Sequence, residues 1–394
     1  MNSLTDFLDA LLESIEKTYP LSAKHLSALP KNIEALSALL TTDRGARSAD
    51  YLSQASFMHA YLRYFLPWNV FRLCRLFDVL KLSEHINEHN LIKSKTGKNI
   101  TLIDLGAGPL SVLFALYFLG ESLHQTEINI FCVDRNLKIM EAGKKIFLNL
   151  SGGKTKWKIN LIKSEIGKKL LLPKADFVSA VNVCNEFFWN INQADISSLS
   201  ISAKKFKNHL SSFAAPDAFI FVAEPGIPRC AQFLSLLRSA FIERDTILSP
   251  CTHELFCPQH GGKRGAKWCH FAFSVPDVPK KLLSLSRDAK LSKERIAISF
   301  LLVQSGRKAD SSGTGGSGSK GLRVRITSDP FKTGYTKNGI ALSGRYGCSP
   351  YGLVLVCGTQ QQIASIENGK CISVANIDLK QKDKKSGALK VLLS

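Results

Sequence analysis

The spacing of apolar residues divides the chain into regions of different structure. Residues 1–95 carry apolar side chains at helical spacing, which predicts a helical N-terminal region. From residue 96 onward, short apolar runs alternate with helical segments, the pattern of a doubly wound, Rossmann-like α/β sheet. Residues 276–394 contain short strand-like runs, so we expect a small β-barrel-like C-terminal domain of the oligonucleotide-binding type. Its Ser- and Gly-rich segment 305–321 is predicted to be a flexible insertion.

Four apolar runs within residues 96–248 are the predicted strands of the sheet. They cover residues 102–105, 128–133, 175–183 and 218–223. In open parallel sheets, ligands bind at the carboxyl ends of the strands, so the polar residues that follow each run are candidate binding residues. Residues 249–275 are expected to form a cysteine-rich loop and, from residue 270, the last strand of the sheet.

A glycine turn follows the first of these strands. The sequence DLGAG at residues 104–108 places two glycines between a strand and the start of a helix. Glycines let the backbone approach a nucleotide-type ligand, and the helix N-terminus offers it free amides. The D-x-G-x-G form is commoner in S-adenosylmethionine (SAM)-dependent methyltransferases than in dinucleotide-binding proteins, and an acid at the end of the second strand is placed to accept two ribose hydroxyls. We therefore predict that SAM is bound by Asp104, Gly106, Gly108 and Asp134.

The segment after the third predicted strand holds two further candidates, Asn185 and Glu186. Either residue faces the methionine end of the cofactor or simply caps the next helix, and the sequence leaves both interpretations open. Enzymes that methylate base amines usually carry an Asn/Asp-Pro-Pro-aromatic motif at this point. Residues 182–187 read NVCNEF, without the prolines, so the pattern disfavours amine methylation and leaves the catalytic residues unknown.

A second candidate site lies in the loop that carries Cys251, Cys257 and Cys269. These three cysteines fall within nineteen residues, among prolines and glycines that break helices and strands. Something other than apolar burial is expected to hold such a loop, and clustered thiolates usually bind a metal ion or an iron–sulfur cluster. Nearby histidines also permit a Cys3His zinc site; they are His253, His260 and His270.

Together these residues resemble the mitoribosomal small-subunit assembly methyltransferase-like family, including its bacterial relatives. The likeness depends on LGAGP at 105–109, NE at 185–186, EPG at 224–226 and, above all, P-C-x-H-x3-C-P at 250–258 with WCHF at 268–271. It covers residues 55–275 well and the remainder loosely.

The resemblance implies a class I methyltransferase fold that binds SAM, a four-cysteine [4Fe-4S] cluster, and work on the small ribosomal subunit. Members of the family are better described as assembly factors than as enzymes with an established product. As the fourth metal ligand the resemblance favours Cys348, which stands in a turn-like Cys-x3-Gly stretch like the family's distal cysteine. Cys357 remains the alternative, although alternation in its apolar run would bury it as an ordinary core residue. Zinc remains the alternative metal.

Charge and length agree with this interpretation. The 394 residues suffice for two or three domains, and the net charge is +20. Basic residues are spread over every predicted domain, which predicts a phosphate-binding surface and, as partner, small-subunit ribosomal RNA or a pre-ribosomal particle. Ten cysteines are too few for a secreted disulfide scaffold, and neither a signal peptide nor an unbroken apolar span is seen. We expect a cytoplasmic monomer without membrane association.

Two hypotheses therefore remain. In the first, the protein binds SAM and an iron–sulfur cluster and acts on the small ribosomal subunit by binding ribosomal RNA during assembly, with RNA methylation as a further activity. In the second, it is an active, zinc-stabilised RNA methyltransferase that uses the same groove for chemistry.

Overall fold

The structure is a computed structural model of the chain, and it divides into two compact units. The described residues are 3–43, 51–80, 82, 100–262, 267–306, 322–367, 369–374 and 378–393. The units are Met1–Pro173 with Val275–Ile296, and Lys174–Ser274 with Ala297–Ser394. From residue 307, the predicted flexible insertion lies outside the described residues.

The first unit begins with helices, as the apolar spacing predicts. They are Leu4–Thr18, Ala23–Leu40, Ala55–Ala60 and Leu66–Val79, with a 3₁₀ turn at Tyr51–Ser53 and a π-helical segment at Tyr61–Phe65. The apolar stripe of the first helix is buried, and the ring of Phe7 lies 5.2 Å from that of Phe118, centroid to centroid. This helix therefore covers part of the α/β layer that follows. No helix in the described part of the chain is both long enough and apolar enough to cross a membrane.

Three parallel strands of the first unit lie in the order β3-β2-β1. They are β1 (Ile100–Leu105), β2 (Ile128–Asp134) and β3 (Trp157–Lys163). The helices of this part are Ser111–Phe118, Glu121–His124, Leu137–Ser151 and Lys280–Asp288. The apolar pattern predicts β1 and β2 but misses β3, because lysines interrupt its apolar positions.

The second unit continues with β4 (Ala175–Val181), β5 (Ala214–Pro225), β6 (Thr246–Ser249), β7 (Phe271–Ser274) and β8, which runs Arg295–Gln304. The accompanying helices are Asn185–Phe188, Ile196–Phe213 and Pro228–Ile242. Strands β4 and β5 are parallel, whereas β8 lies antiparallel between β5 and β6 and also pairs with β7. An antiparallel strand inserted near the end of a parallel sheet is typical of the Rossmann-like class I methyltransferase fold, so the predicted fold class is confirmed.

The assignment of residues 297–304 to the C-terminal domain is wrong, because these residues form most of β8 in the large sheet. Nearly every residue of β8 is buried, including consecutive ones. Burial on both faces is a property of interior strands in large α/β sheets, whereas a small barrel would bury every second residue.

The C-terminal part is a second sheet of short strands. These are β9 (Leu322–Ile326), β10 (Phe331–Lys337), β11 (Ile340–Ser349), β12 (Gly352–Gly358), β13 (Cys371–Val374) and β14 (Leu389–Leu392), with a short helix at Gln360–Ala364. Their order is β13-β9-β11-β12-β14, with β10 paired to β11. Within the described residues the two end strands, β13 and β14, are not paired with each other, so the barrel-like domain that the sequence predicts is an open sheet here and not a closed barrel.

A half-buried lysine of the first unit lies against two aromatic rings. The Nζ atom of Lys293 donates to the Tyr64 hydroxyl at 2.6 Å and lies 5.3 Å from the centroid of the Trp68 ring. Burial, with a smaller contribution from Arg72, lowers the pKa of Lys293 to about 8. Burial also raises the pKa of Tyr64 to about 12.

This lysine makes the stability of the fold depend on pH. Between a folded pKa of about 8 and the ordinary value of 10.5, the unfolded chain binds more protons than the folded one, so Lys293 makes stability rise with pH in that window. Lys293→Met should reduce this rise, as measured by urea unfolding from pH 7.5 to 10.5. Lys280→Met, at an exposed position, is the control. Equal slopes for wild type and Lys293→Met would contradict the prediction.

Candidate cofactor and metal sites

The glycine turn after β1 is held by backbone hydrogen bonds to β2. Gly106 and Gly108 have φ angles of +72° and +49°, in the left-handed region that favours glycine. The N–H groups of Gly106 and Ala107 donate to the carbonyl of Val133 at 2.8 and 3.1 Å. The turn is therefore tied to β2 before it enters the Ser111–Phe118 helix.

Asp134 connects the end of β2 to this turn. One carboxylate oxygen accepts the N–H of Gly108 at 3.0 Å, and the other accepts the N–H of Asn136 at 2.9 Å. Burial raises the pKa of Asp134, and these two backbone hydrogen bonds act in the opposite direction. A carboxylate oxygen accepts more than one hydrogen bond, so acceptor capacity remains for a ligand.

Asp104 is buried at the end of β1, with 1% of its surface exposed. It pairs in register with Cys132 of β2. Burial raises the pKa of the Cys132 thiol well above its ordinary value, and the nearby carboxyl group of Asp104 raises it further. The structure therefore brings Asp104 and Asp134 to the same end of adjacent strands, beside the glycine turn, as the sequence predicts.

Asn185 and Glu186 lie in the second unit, on the Asn185–Phe188 helix, in different environments. The side chain of Asn185 is buried and donates to the carbonyl of Asn182 at 3.2 Å, whereas Glu186 is exposed. The loop before this helix is held by the buried Glu224, whose Oε1 accepts the N–H groups of Val183 and Cys184 at 2.6 and 2.7 Å. This role of Glu224 is not evident from the sequence.

Three predicted metal ligands line one pocket of the second unit. The side chains of Cys251, Cys257 and Cys269 meet there beside the Pro228–Ile242 helix and β8. Burial raises the pKa of Cys269 well above its ordinary value, and the nearby thiols of Cys348, Cys251 and Cys257 raise it further. The pKa of Cys348 is raised to about 12 by burial, followed by the same neighbours, Cys251 and Cys257. The four thiols therefore lie within electrostatic reach of one another.

Cys348 lies in β11 and not in a turn. It is paired with Leu353 of β12 and with Arg325 of β9. The turn of this stretch follows at residues 350 and 351, whereas Gly347 serves strand packing, since a Cβ on it would lie 2.4 Å from Cγ1 of Val324. Neighbouring strands can approach this closely only where one of them has no side chain.

Cys357, the alternative fourth ligand, lies in other surroundings, and the loop histidines have contacts of their own. Cys357 is fully buried in an apolar cluster with Leu342, Leu355 and Ala388. Burial raises its pKa to about 11, and Lys390 and Asp383, not the other thiols, are the further influences. His260 and His270 have their Nδ1 atoms near the N–H of Gly262 and the carbonyl of Trp268.

The cysteine pocket does not have the ligand geometry of a metal site. Within the described ranges, no group of three or more His, Cys, Asp or Glu side chains is arranged as a ready metal site. Metal ligation requires thiolates, whereas burial favours neutral thiols. The arrangement therefore brings the thiols of Cys251, Cys257, Cys269 and Cys348 together without yet giving them ligand geometry.

Arg238 is the main contact of this site that the sequence interpretation missed. It extends from the Pro228–Ile242 helix and is 1% exposed. Its Nε donates to Sγ of Cys251 at 2.9 Å, Nη1 donates to the carbonyl of Leu255 at 2.9 Å, and Nη2 donates to the carbonyl of His253. The signal available in the sequence is a single basic residue in the largely apolar stretch 230–242.

A close helix contact fixes the glycine turn from the other side. Gly143, in the Leu137–Ser151 helix, has no room for a side chain, because a Cβ there would lie 2.4 Å from the carbonyl oxygen of Pro109. Gly143→Ala should therefore lower the free energy of unfolding by about 1–3 kcal/mol, although alanine favours helices by about 1 kcal/mol. Urea unfolding measures the change.

The exposed Lys145 of the same helix gives a control for this substitution. Lys145→Ala should stay within about 0.5 kcal/mol of wild type. A Gly143→Ala variant as stable as wild type would mean that the helix is not pressed against the turn.

Several solved structures are similar to parts of this chain. Among solved structures, the chain is similar to a protein described as a class I SAM-dependent methyltransferase from Listeria monocytogenes (12% identity, 77% of this chain and 89% of that chain, TM-score 0.39). It is also similar to a SAM-dependent methyltransferase from Clostridium acetobutylicum (13%, 57% and 89%, 0.29) and to the ribosomal protein L11 methylase of Lactobacillus delbrueckii (13%, 60% and 78%, 0.30). No curated protein matches the chain in sequence.

A protein-family model gives the specific assignment. The model described as "Mitochondrial small ribosomal subunit Rsm22" matches residues 99–315, more than half of the chain, including the glycine turn and the three cysteines of the loop. The chain therefore belongs to the Rsm22 family.

Proposed function

We propose that this protein is a SAM- and iron–sulfur-binding factor that acts on the small ribosomal subunit by binding ribosomal RNA during assembly. The observation that carries the proposal is the pocket lined by the three loop cysteines, to which Cys348 of the second sheet lies close enough to raise the pKa of Cys269. The family name associates the fold with the small ribosomal subunit. A net charge of +20 supports a phosphate-rich partner recognised through backbone contacts.

The SAM site is assigned to the glycine turn. Gly106 and Gly108 would let the cofactor approach the backbone, and Asp134 would accept the ribose hydroxyls with its remaining lone pairs. Asp104 stays a candidate at the end of β1. Asn185 and Glu186 stay candidates for the methionine end, although the amide of Asn185 already donates to a backbone carbonyl.

The iron–sulfur centre is assigned to Cys251, Cys257, Cys269 and Cys348. The donor set fits a four-thiolate centre, because Cys269 and Cys348 lie close enough to the other thiols for their pKa values to be raised by them, and because the buried Arg238 would offset part of the negative charge. The cluster would supply a covalent connection between the loop and β11, together with a capacity for one-electron transfer. Four thiolates also suit tetrahedral zinc, so the metal itself must be measured.

Substitution of the two candidate fourth ligands distinguishes them. Cys348→Ser should remove most bound metal after anaerobic purification, because its thiol is near the other three. Cys357→Ala is the matched control and should retain the metal, because its thiol lies in an apolar cluster. Iron, sulfide and zinc analysis with visible spectra measures both. Metal retained in Cys348→Ser and lost in Cys357→Ala would reverse the assignment.

Loss of SAM binding tests the two candidate activities. Asp134→Ala should weaken SAM affinity by about 1–3 kcal/mol, the effect of losing a charged hydrogen-bond acceptor. Calorimetry measures this, and Glu141→Ala, at an exposed site of the same unit, is the control. Continued association of the Asp134→Ala protein with small-subunit particles would support an assembly factor. A methylated ribosomal nucleotide that disappears in the variant would instead support a methyltransferase, and no association of the wild-type protein would contradict both.

A further inference from the structure

We propose that Arg238 is the positioning residue of the cysteine centre, which orients Cys251 for the metal and balances the negative charge of the thiolates. This inference rests on the proposed thiolate centre and extends it to a residue that is not a ligand. Three donor nitrogens of one guanidinium contact the loop at residues 251, 253 and 255, which are every second residue of the segment.

These contacts determine how the loop backbone curves around the guanidinium group of Arg238. The carbonyls of His253 and Leu255 both point towards the planar group, so the chain must curve around it. The same curve brings Cys251 and Cys257 to one pocket, whose wall includes Leu234 and Ser235 from the helix that carries Arg238. Because the helix is rigid and the loop has no strand or helix of its own between residues 250 and 262, the position of Cys251 depends on Arg238.

The positive charge of the buried Arg238 guanidinium requires a negatively charged partner. The residue is 1% exposed, and among the residues that the structure describes it pairs with no carboxylate. A buried cation beside neutral thiols would be uncompensated and therefore strongly unfavourable. Thiolates that hold a metal would supply the missing negative charge, and Cys251 already lies in hydrogen-bond contact. A second guanidinium, that of Arg325, donates to the Pro250 carbonyl at 3.0 Å and so adds positive charge beside the same cysteine.

Gln259 makes a backbone contact with another cysteine of the site, Cys269. Its backbone carbonyl accepts the N–H of Cys269 at 2.9 Å, and its side chain is 5% exposed. The Nε2 atom of this side chain is buried and has no hydrogen-bond partner among the described residues. A buried amide N–H group without a partner is suited to a negatively charged sulfur. Arg238 and Gln259 therefore both offer N–H donors near the loop cysteines.

The test compares Arg238→Lys and Arg238→Gln with wild type and with Arg229→Lys. Arg229 is the matched control, because it lies on the same helix and its guanidinium donates to the carbonyls of Phe188 and Ile191, and to no cysteine among the described residues. Each protein is reconstituted anaerobically with iron and sulfide. Three quantities are measured: iron and sulfide per chain, the rate of iron loss to a chelator, and the reduction midpoint by electron paramagnetic resonance.

Both Arg238 variants should lose iron about 10–100-fold faster than wild type, the usual effect of removing a residue that orients a ligand. The midpoint should move to more negative values in Arg238→Gln, because removal of a cation and a hydrogen bond disfavours the more negative reduced cluster. Arg238→Lys, which keeps the charge, should move it less. Arg229→Lys should match wild type in both quantities.

Other outcomes overturn the inference in recognisable ways. Wild-type rates and midpoints in both Arg238 variants would exclude a positioning role. If circular dichroism shows that both variants unfold with or without metal while Arg229→Lys stays folded, Arg238 serves the fold and not the centre. If wild type holds zinc instead of iron and sulfide, the iron–sulfur part of the proposed function fails, and the inference is decided by the rate of zinc loss. Wild type that binds neither metal overturns both proposals.

Discussion

The contacts between one buried guanidinium and a loop without regular secondary structure determine the shape of the cysteine site. The loop after β6 contains the prolines and glycines that prevent helix and strand formation, so its backbone carbonyls need partners from elsewhere. Arg238 supplies donors to two of them and to Cys251 in addition. Arg325 donates to a third carbonyl, that of Pro250. The loop has no regular secondary structure of its own, and side chains from a helix and a strand thereby fix its conformation.

The two candidate sites of the molecule use different physical means. In the glycine turn, backbone amides and one carboxylate form the site, and the required geometry comes from positive φ angles and from a helix packed without a side chain at Gly143. At the cysteine pocket, three thiols of one loop meet, and the thiol of Cys348, from a distant part of the chain, lies close enough to raise the pKa of Cys269. The first site is therefore largely formed by local sequence, whereas the second depends on tertiary structure.

This difference explains which features could be predicted from sequence. The strand, glycine turn and acid at 102–108 and 134 form a local pattern, and the structure places them as expected. Strand β8 could not be placed in the same way, because an apolar run does not reveal which sheet it joins. The choice between Cys348 and Cys357 as the fourth ligand also depends on tertiary structure. Local composition suggested a turn around Cys348, yet its proximity to the loop cysteines follows from the pairing of β11 with β9.

The loop after β4 bears on whether the protein acts as a catalyst or as a binding factor. Amine methyltransferases hold their target amine at this position, with a motif that this chain lacks. Here the amides of Val183 and Cys184 are engaged by Glu224. Cys184 is fully buried, and its burial, followed by Glu224, raises its pKa well above the ordinary value, which makes it a poor nucleophile. An internal carboxylate thus fixes the backbone of this loop. The arrangement therefore favours a loop that is fixed by Glu224 over one in which Cys184 attacks a substrate.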